Sequence, residues 1–373
     1  MILLYLTPQI NQEGGLPKVL SVRTNYFIEK FNYQITILTQ NQGNINPFFD
    51  FNDKIDFIDI DLNCNNFQKL FRYKSFLKKQ IQNWQPDLII VCDFGLKAFL
   101  IPFLLDNKIP IFFEAHGSLY NETKIFNDNF FTQVSKKIKY KYKLFCAKKF
   151  DKFIALSNES LAEWNVINGI VIPNPVWFKN EQKSSLQNKK ALIIARHSFE
   201  KGLDKLIPIW KKIVEKYPDW QLDIYGKSSK NNEIEQLIKV NSLENNINLL
   251  LPTKDILSVY KNYSMYLMTS RQEGFPMVLL EAIASGLPCI AYDCPVGPRA
   301  IIQNNYNGFL IENDNSEKFV TAITSLIENA DLRIKIGKNA KISSKKYDLE
   351  TILNQWNDLF LETVKHHSRK RLQ

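Results

Sequence analysis

Cysteine is sparse in this sequence, and its spacing is uninformative. Cys64, Cys92, Cys146, Cys289 and Cys294 are odd in number and form no CxxC pair and no Cys/His cluster. A disulfide framework and a structural metal site are therefore not expected, and the thiols read as reduced, in a cytosolic setting. Long apolar runs are also missing. The most apolar long stretch, "LIIVCDFGLKAFLIPFLL", is broken by Asp93 and Lys97 and reads as strand, turn and helix, not as a membrane span. No basic region precedes the short apolar run in "MILLYLTPQI", which suits a first buried strand and not a leader peptide. There is no GxGxxG, so a nicotinamide dinucleotide site has little support. No short internal repeat is evident, and no nucleic-acid-binding module is present.

What is present is a globular composition: 45% hydrophobic and 23% charged residues over 373 positions, comfortable for two domains. Lys and Arg number 48 against 38 Asp and Glu, a net charge of +10 that suggests an anionic partner. Short apolar runs alternate with amphipathic ones. "ILLYL", "YQITIL", "DLIIVCD", "IPIFFEA" and "DKFIALS" form one series; "KALIIA", "WQLDIYG", "INLLLP", "SMYLMTS" and "PCIAY" form a second, after "VIPNPV". Strands alternating with helices imply parallel sheets covered on both faces. The fold class is therefore α/β, with two doubly wound Rossmann-like domains, residues 1–173 and 174–350, joined near Asn174 where two prolines stiffen the chain. The polar stretch "NEQKSSLQNKK" beyond the join reads as a surface loop. Ligands of such sheets bind beyond the carboxyl ends of the strands, and the expected site is a cleft between the two domains.

The residues just after strands then matter most. In "SRQEGFPMVLLEAIASGLP", Glu273 falls in a strand-to-helix loop, Pro276 suits the first helical position, and Gly286 and Pro288 end the helix. Glu281 lies about a turn and a half into that helix. The N–H groups of Gly274, Phe275, Met277 and Val278 at the helix start suit hydroxyls or phosphates, and the two carboxylates suit the hydroxyls of a sugar and a ribose. The same spacing also fits a Glu273 that complements the helix dipole and a Glu281 on the surface. In "ALIIARHSFEKGLDKLI", Arg196 and Lys201 share one loop before a helix and could hold a diphosphate, or could be two solvated cations. Gly226 in "DIYGKSS" falls in the same neighbourhood. In the first domain, Gly14 and Gly15 in "QEGGLPKVL" allow close backbone approach to a ligand. His116 in "FFEAHGS" ends a strand, as either a structural or a functional histidine.

Taken together these pieces resemble the family 4 retaining glycosyltransferases of the GT-B fold, over nearly the whole length. The resemblance rests on Glu273–Gly274–Phe275–Pro276 through Glu281–Ala282, on "SGLPCIAYD", "NGFLI", "ARHSFEKGLDKLI", "GGLPKVL" and "VIPNPV". "DCPVGPRAII" is similar to a branch that builds bacterial surface polysaccharides such as capsule, O-antigen or lipopolysaccharide. The resemblance implies that Glu273 binds hydroxyls of the transferred sugar and Glu281 the ribose. Arg196 and Lys201 would hold the diphosphate, Gly15 would line it, and His116 would lie near the sugar. It also implies a nucleotide-sugar donor, expected to be a UDP-sugar, with no metal and no cofactor, and a C-terminal helix and basic tail, 351–373, packing back toward the first domain. Ser228 and Pro175 depart from the family pattern, where glycines are common.

Transfer with retention is expected to use front-face attack, because no residue is an obvious nucleophile. The acceptor falls to the first domain, where "KKIKYKYKLFCAKKFDK" is dense in lysine: Lys136, Lys137, Lys139, Lys141 and Lys143. With Phe131, Val134 and Ile138 it can form a helix with one apolar stripe, lying on an anionic membrane or burying that stripe. "KLFRYKSFLKKQ" is a second such stretch. The membrane alternative implies a lipid-linked saccharide acceptor and a peripheral place on the inner face of the cell membrane. Competing readings are an epimerase or phosphorylase on the same scaffold, or a non-catalytic sugar-nucleotide-binding subunit. No nucleic-acid partner is expected.

Overall fold

A computed structural model describes residues 1–105, 109–120, 130–178, 184–228, 231–253 and 255–371. Parts of two expected loops, residues 180–183 of the polar stretch and Ser229 after "DIYG", lie outside the described residues. The chain forms two compact units, Met1–Trp177 with Leu349–Gln373, and Phe178–Asp348.

The first unit holds a seven-stranded sheet: β1 Ile2–Leu6, β2 Gln34–Gln40, β3 Asp56–Ile60, β4 Leu88–Val91, β5 Ile111–Ala115, β6 Lys152–Ala155 and β7 Gly169–Val171. Their order is β3-β2-β1-β4-β5-β6-β7 and every named pairing is parallel. Successive residues of a strand point to opposite faces. Accordingly Leu4 and Leu6 join one core with Phe99, Phe113 and Trp164, while Leu3 and Tyr5 join the other with Phe27, Trp356 and Phe360. The second core is closed by the helix Leu349–Arg371, which contributes Ile352, Leu353, Trp356 and Phe360.

The second unit holds a six-stranded sheet: β8 Lys190–Ile194, β9 Gln221–Tyr225, β10 Ile247–Leu250, β11 Met265–Met268, β12 Cys289–Tyr292 and β13 Gly308–Ile311. The order is β10-β9-β8-β11-β12-β13, again parallel. The expectation of two doubly wound α/β units holds. Short, fully buried central strands such as β4, β11 and β12 explain the continuous apolar runs in the sequence. The strands that the alternation did not announce lie at sheet edges: β3, whose "DFIDI" is half-exposed; β7, only three residues long; and β13.

Candidate active site

In the second unit the sheet order reverses between β8 and β11, since β9 and β10 lie to one side and β12 and β13 to the other. In open sheets of this kind, ligands bind beyond the carboxyl ends of the two strands at such a reversal. Arg196 and Lys201 follow β8, and Glu273 follows β11. Lys201 ends a short 3-10 turn, Phe199–Lys201. Gly202 comes next at φ +63°, and a β-carbon there would sit 2.1 Å from the Thr269 carbonyl oxygen, so only glycine lets the loops approach this closely.

Side chains then staple the loops together. The Arg271 N–H donates to the Glu200 carbonyl at 2.8 Å, and Thr269 Oγ1 donates to the Gly202 carbonyl at 2.9 Å. The Arg271 guanidinium grips both carboxylate oxygens of Asp204 at 2.7 and 2.6 Å, donates to the Phe199 carbonyl, and stacks 4.0 Å from the Phe199 ring centroid. Its bond to Asp204 raises the Arg271 pKa. The result is an ion pair between the two loops, Lys201 Nζ to Glu273 Oε1 at 2.8 Å, with the Glu273 side chain only 8% exposed. Arg196 is exposed, and Gly226 packs against the Ala195 carbonyl, where a β-carbon would come within 1.9 Å.

The helix after Glu273 runs Met277–Ala284. Pro276 does not take the first helical position, as expected from sequence, but the N-cap. Its ψ of 100° is extended, and its carbonyl accepts from the N–H groups of Leu279 and Leu280, both at 3.1 Å. The N–H groups of Gly274, Phe275, Met277 and Val278 precede those first helical bonds. Gly286, at φ +77°, follows the helix end. Glu281 is not on the surface. It is 6% exposed, and its Oε2 accepts from the buried Tyr260 hydroxyl at 2.9 Å. Burial, reinforced by the Glu281 charge, pushes the Tyr260 phenol well above its ordinary pKa and keeps it a donor. Tyr266 is likewise raised by burial, with the charges of Glu273 and Glu281 adding to the shift. Gly297, at φ +104°, backs the loop; a β-carbon there would meet Pro276 Cδ at 2.8 Å and Glu273 Cβ at 3.2 Å.

In the first unit the order reverses between β1 and β4. Exposed Gly14 follows β1, and the helix Gly15–Phe31 starts at Gly15. His116 follows β5. The next turn is locked by Glu163, which accepts from Ser118 Oγ at 2.8 Å and from the Leu119 N–H at 3.1 Å. Beneath His116 lies a group that sequence reasoning missed. Glu114, fully buried, pairs with buried Arg23 through two bonds of 2.8 and 2.5 Å. Burial alone would raise the Glu114 pKa, but the Arg23 charge and His116 overcome that and hold it far below the usual carboxylate range. Cys92, Glu114 and His116 bring possible ligand atoms within 4.8 Å of one another. A cation fits poorly there: Arg23 already occupies both Glu114 oxygens, and burial pushes the Cys92 thiol well up, away from the thiolate a metal needs.

The lysine-rich segment is a helix, Phe130–Ala147. Lys137 and Lys141 are exposed, and Lys136 and Lys139 are half-buried. Lys143 is a correction to the expected surface set. It is 5% exposed, with its ammonium 5.7 Å from the Phe94 ring centroid and 5.9 Å from that of Phe99. The apolar stripe faces outward: Phe131, Val134, Ile138 and Phe145 are all exposed, and Phe145 stacks on exposed Phe103 at 6.1 Å. The opposite side, with Cys146 and Ala147, enters the core. In "KLFRYKSFLKKQ", Tyr73 and Leu77 are core residues while Phe71 is exposed. Among the described residues no helix is long and apolar enough to cross a membrane.

With this geometry in view, the chain can be set beside known proteins. Residues 177–343 match the family described as glycosyl transferases group 1. Over 94% of its length the chain is 28% identical to an uncharacterized glycosyltransferase of Haemophilus influenzae, covering 97% of that protein. It is also 28% identical to the amylovoran biosynthesis glycosyltransferase AmsD of Erwinia amylovora, over 96% of this chain and 99% of that one. Among solved structures, Staphylococcus aureus TarM, crystallised with UDP among its ligands, superposes with a TM-score of 0.79 at 18% identity, covering 96% of this chain and 99% of that one. Anabaena HepE, crystallised with UDP and glucose, gives 0.78 at 19% identity over 97% of this chain and all of its own.

Proposed function

We propose that this chain, whose residues 177–343 carry the group 1 glycosyltransferase family and whose near full-length relatives are named glycosyltransferases, transfers a sugar with retention from a UDP-sugar to an acceptor hydroxyl. The observation that carries this reading is the Lys201–Glu273 pair at the switch point, with buried Glu281 on the following helix. A cation, an aligned carboxylate and a helix start at one switch point suit a diphosphate, a sugar and a ribose together. In the donor-free state Lys201 and Glu273 neutralise each other. A diphosphate competes for Lys201, assisted by exposed Arg196, and releases Glu273 to accept from hydroxyls of the transferred sugar. Glu281, steadied by Tyr260, binds the ribose. Gly14, Gly15 and Gly226 offer backbone close to the phosphates, and His116 contacts the sugar.

In the reaction the bond from the anomeric carbon to the diphosphate oxygen breaks and the bond to the acceptor oxygen forms on the same face. The acceptor proton passes to the departing diphosphate. Negative charge grows on that diphosphate, where Lys201, Arg196 and the helix N–H groups stabilise it in the transition state. This scheme assigns no metal and no side-chain nucleophile.

The acceptor reading is a lipid-linked saccharide in surface-polysaccharide synthesis. AmsD, named for amylovoran biosynthesis, supports the polysaccharide half. The exposed Phe131, Ile138 and Phe145 beside Lys137 and Lys141 support peripheral attachment to an anionic membrane, on the cytoplasmic face. The decisive experiment measures UDP binding by calorimetry. It then follows hydrolysis of UDP-glucose, UDP-galactose and UDP-N-acetylglucosamine with and without a chelator. Binding of UDP and slow, chelator-insensitive release of one sugar are expected. No UDP binding would sink the donor assignment, and an epimerised nucleotide sugar as product would favour the epimerase instead.

A further inference from the structure

The proposed transfer uses His116 but leaves unexplained why a charged pair is buried directly beneath it. Glu114 lies in β5, on the same face as Phe112, in a layer otherwise built from Leu3, Leu20, Phe27 and Phe360. Arg23 comes to it from the helix Gly15–Phe31 and stacks over the Trp356 ring at 4.5 Å. The pair is 0% and 1% exposed. Removing two charges from water is expensive, and well-packed apolar residues usually serve stability as well or better. A buried pair whose carboxylate also touches a third group calls for a different account.

That third group is His116. Glu114 Oε2 takes Arg23 Nη2 and the Cys92 thiol at 3.3 Å, while Oε1 takes Arg23 Nη1 and faces His116 Nε2 at 3.1 Å, on a bent approach. Nε2 is buried, so the 12% of the side chain that is exposed belongs to other atoms of the ring. A lone pair on Nε2 would repel the ionised carboxylate 3.1 Å away, whereas an Nε2–H is attracted to it even off the ideal hydrogen-bond line. In a neutral imidazole that leaves Nδ1 as an acceptor.

We infer that Arg23 and Glu114 are positioning residues that hold His116 in its Nε2–H form, so that it meets a substrate hydroxyl through Nδ1 as a hydrogen-bond acceptor. The half concerning substrate rests on the glycosyltransferase reading; the tautomer does not. Arg23 fixes the carboxylate, the carboxylate fixes the ring, and the ring orients a hydroxyl without giving it a proton.

The test needs no acceptor. The chain has four histidines, so protein labelled with nitrogen-15 at histidine gives a simple long-range proton–nitrogen spectrum, assigned with His116→Gln. At alkaline pH, where imidazoles are neutral, His116 should show the Nε2–H pattern; an Nδ1–H pattern overturns the inference. Glu114→Gln should remove that preference and lower kcat for hydrolysis of whichever UDP-sugar the wild type turns over by tenfold or more, with UDP affinity within twofold. Loss of the preference with kcat unchanged would also overturn it. If Glu114→Gln does not fold because Arg23 is left unpaired, Arg23→Gln/Glu114→Gln restores charge balance and is read the same way. Failure of wild type to bind UDP would sink the transferase reading and leave the tautomer result standing.

Discussion

The two units use one topology and equip its switch point in opposite ways. In the second unit the polar groups are partly open and bonded to each other across two loops: Lys201 to Glu273, Arg271 to Asp204 and to backbone. In the first unit an ion pair, Arg23 with Glu114, sits in the core beneath a half-buried histidine, His116. An open cation beside a carboxylate can exchange partners when an anionic ligand arrives. A buried pair cannot, and so can only hold something else in place. The contrast is between charges that could exchange partners and charges fixed in the core.

The comparison breaks first at the buried pair. Glu114→Ala should destabilise the first unit by about 3–5 kcal/mol, because it strands a buried guanidinium. Arg23→Leu/Glu114→Leu should recover most of that, as measured by urea unfolding. Glu114 has a depressed folded-state pKa, so its contribution is complete above the ordinary value of 4.5 and declines as pH falls below it toward the folded value. An unfolding midpoint for Glu114→Ala equal to wild type would show that the charges are not paired as described.

Exchangeable charges should behave otherwise. Lys201→Ala or Arg196→Ala should cost roughly 1.5–3 kcal/mol, about ten- to a hundredfold in UDP affinity or rate, with little effect on urea unfolding of the first unit. Glu281→Ala should weaken UDP binding, whereas Glu273→Gln should mainly lower turnover. Wild-type binding and rates in all four would reduce the switch point to a structural feature. A smaller effect, about 1–2 kcal/mol, is expected from Arg271→Ala, since Asp204 is partly exposed and water screens the pair. Arg271→Lys should recover little of it, because a lysine cannot grip both oxygens; full recovery by lysine would mean that only charge matters there.

The smallest effects sharpen the contrast on the lysine-rich helix. Lys137→Gln and Lys141→Gln should each weaken sedimentation with anionic vesicles by about 1 kcal/mol and leave UDP binding unchanged. Binding should vanish with neutral vesicles and fall as salt rises. Lys143→Gln should perturb folding and not vesicle binding. Equal binding to neutral and anionic vesicles would remove the electrostatic component altogether.

Legibility in sequence followed the same division. Lys201 and Glu273 each stand a few residues past an apolar run, so strand ends and loops identified them. Glu114 is hidden inside the apolar run "IPIFFEA", and its partner lies 91 residues away in an ordinary amphipathic helix. No local pattern joins those two. Tyr260 was unmarked for the same reason: it meets Glu281 only through the packing of two helices. Lys143 shows what counting lysines omits. At about 100° per residue, Lys136, Lys139 and Lys143 fall on one side of a helix and Lys137 and Lys141 on another. Periodicity separated these sides, but only the packing of Cys146 and Ala147 shows which one turns inward. At Pro276 the sequence located the helix start to within one residue, the usual uncertainty of a helix end.

The return of the chain to its first sheet bears on how the molecule is made. Residues 178–348 form a complete unit before Leu349 is synthesised, so the later half of the sequence can fold while the earlier half still waits. The first sheet lacks Trp356 and Phe360 until then, and with them the ring that covers Arg23. A nascent chain stalled before residue 349 would thus expose Phe27 and Phe112, the rings that Phe360 packs against, and would be a candidate for chaperone capture.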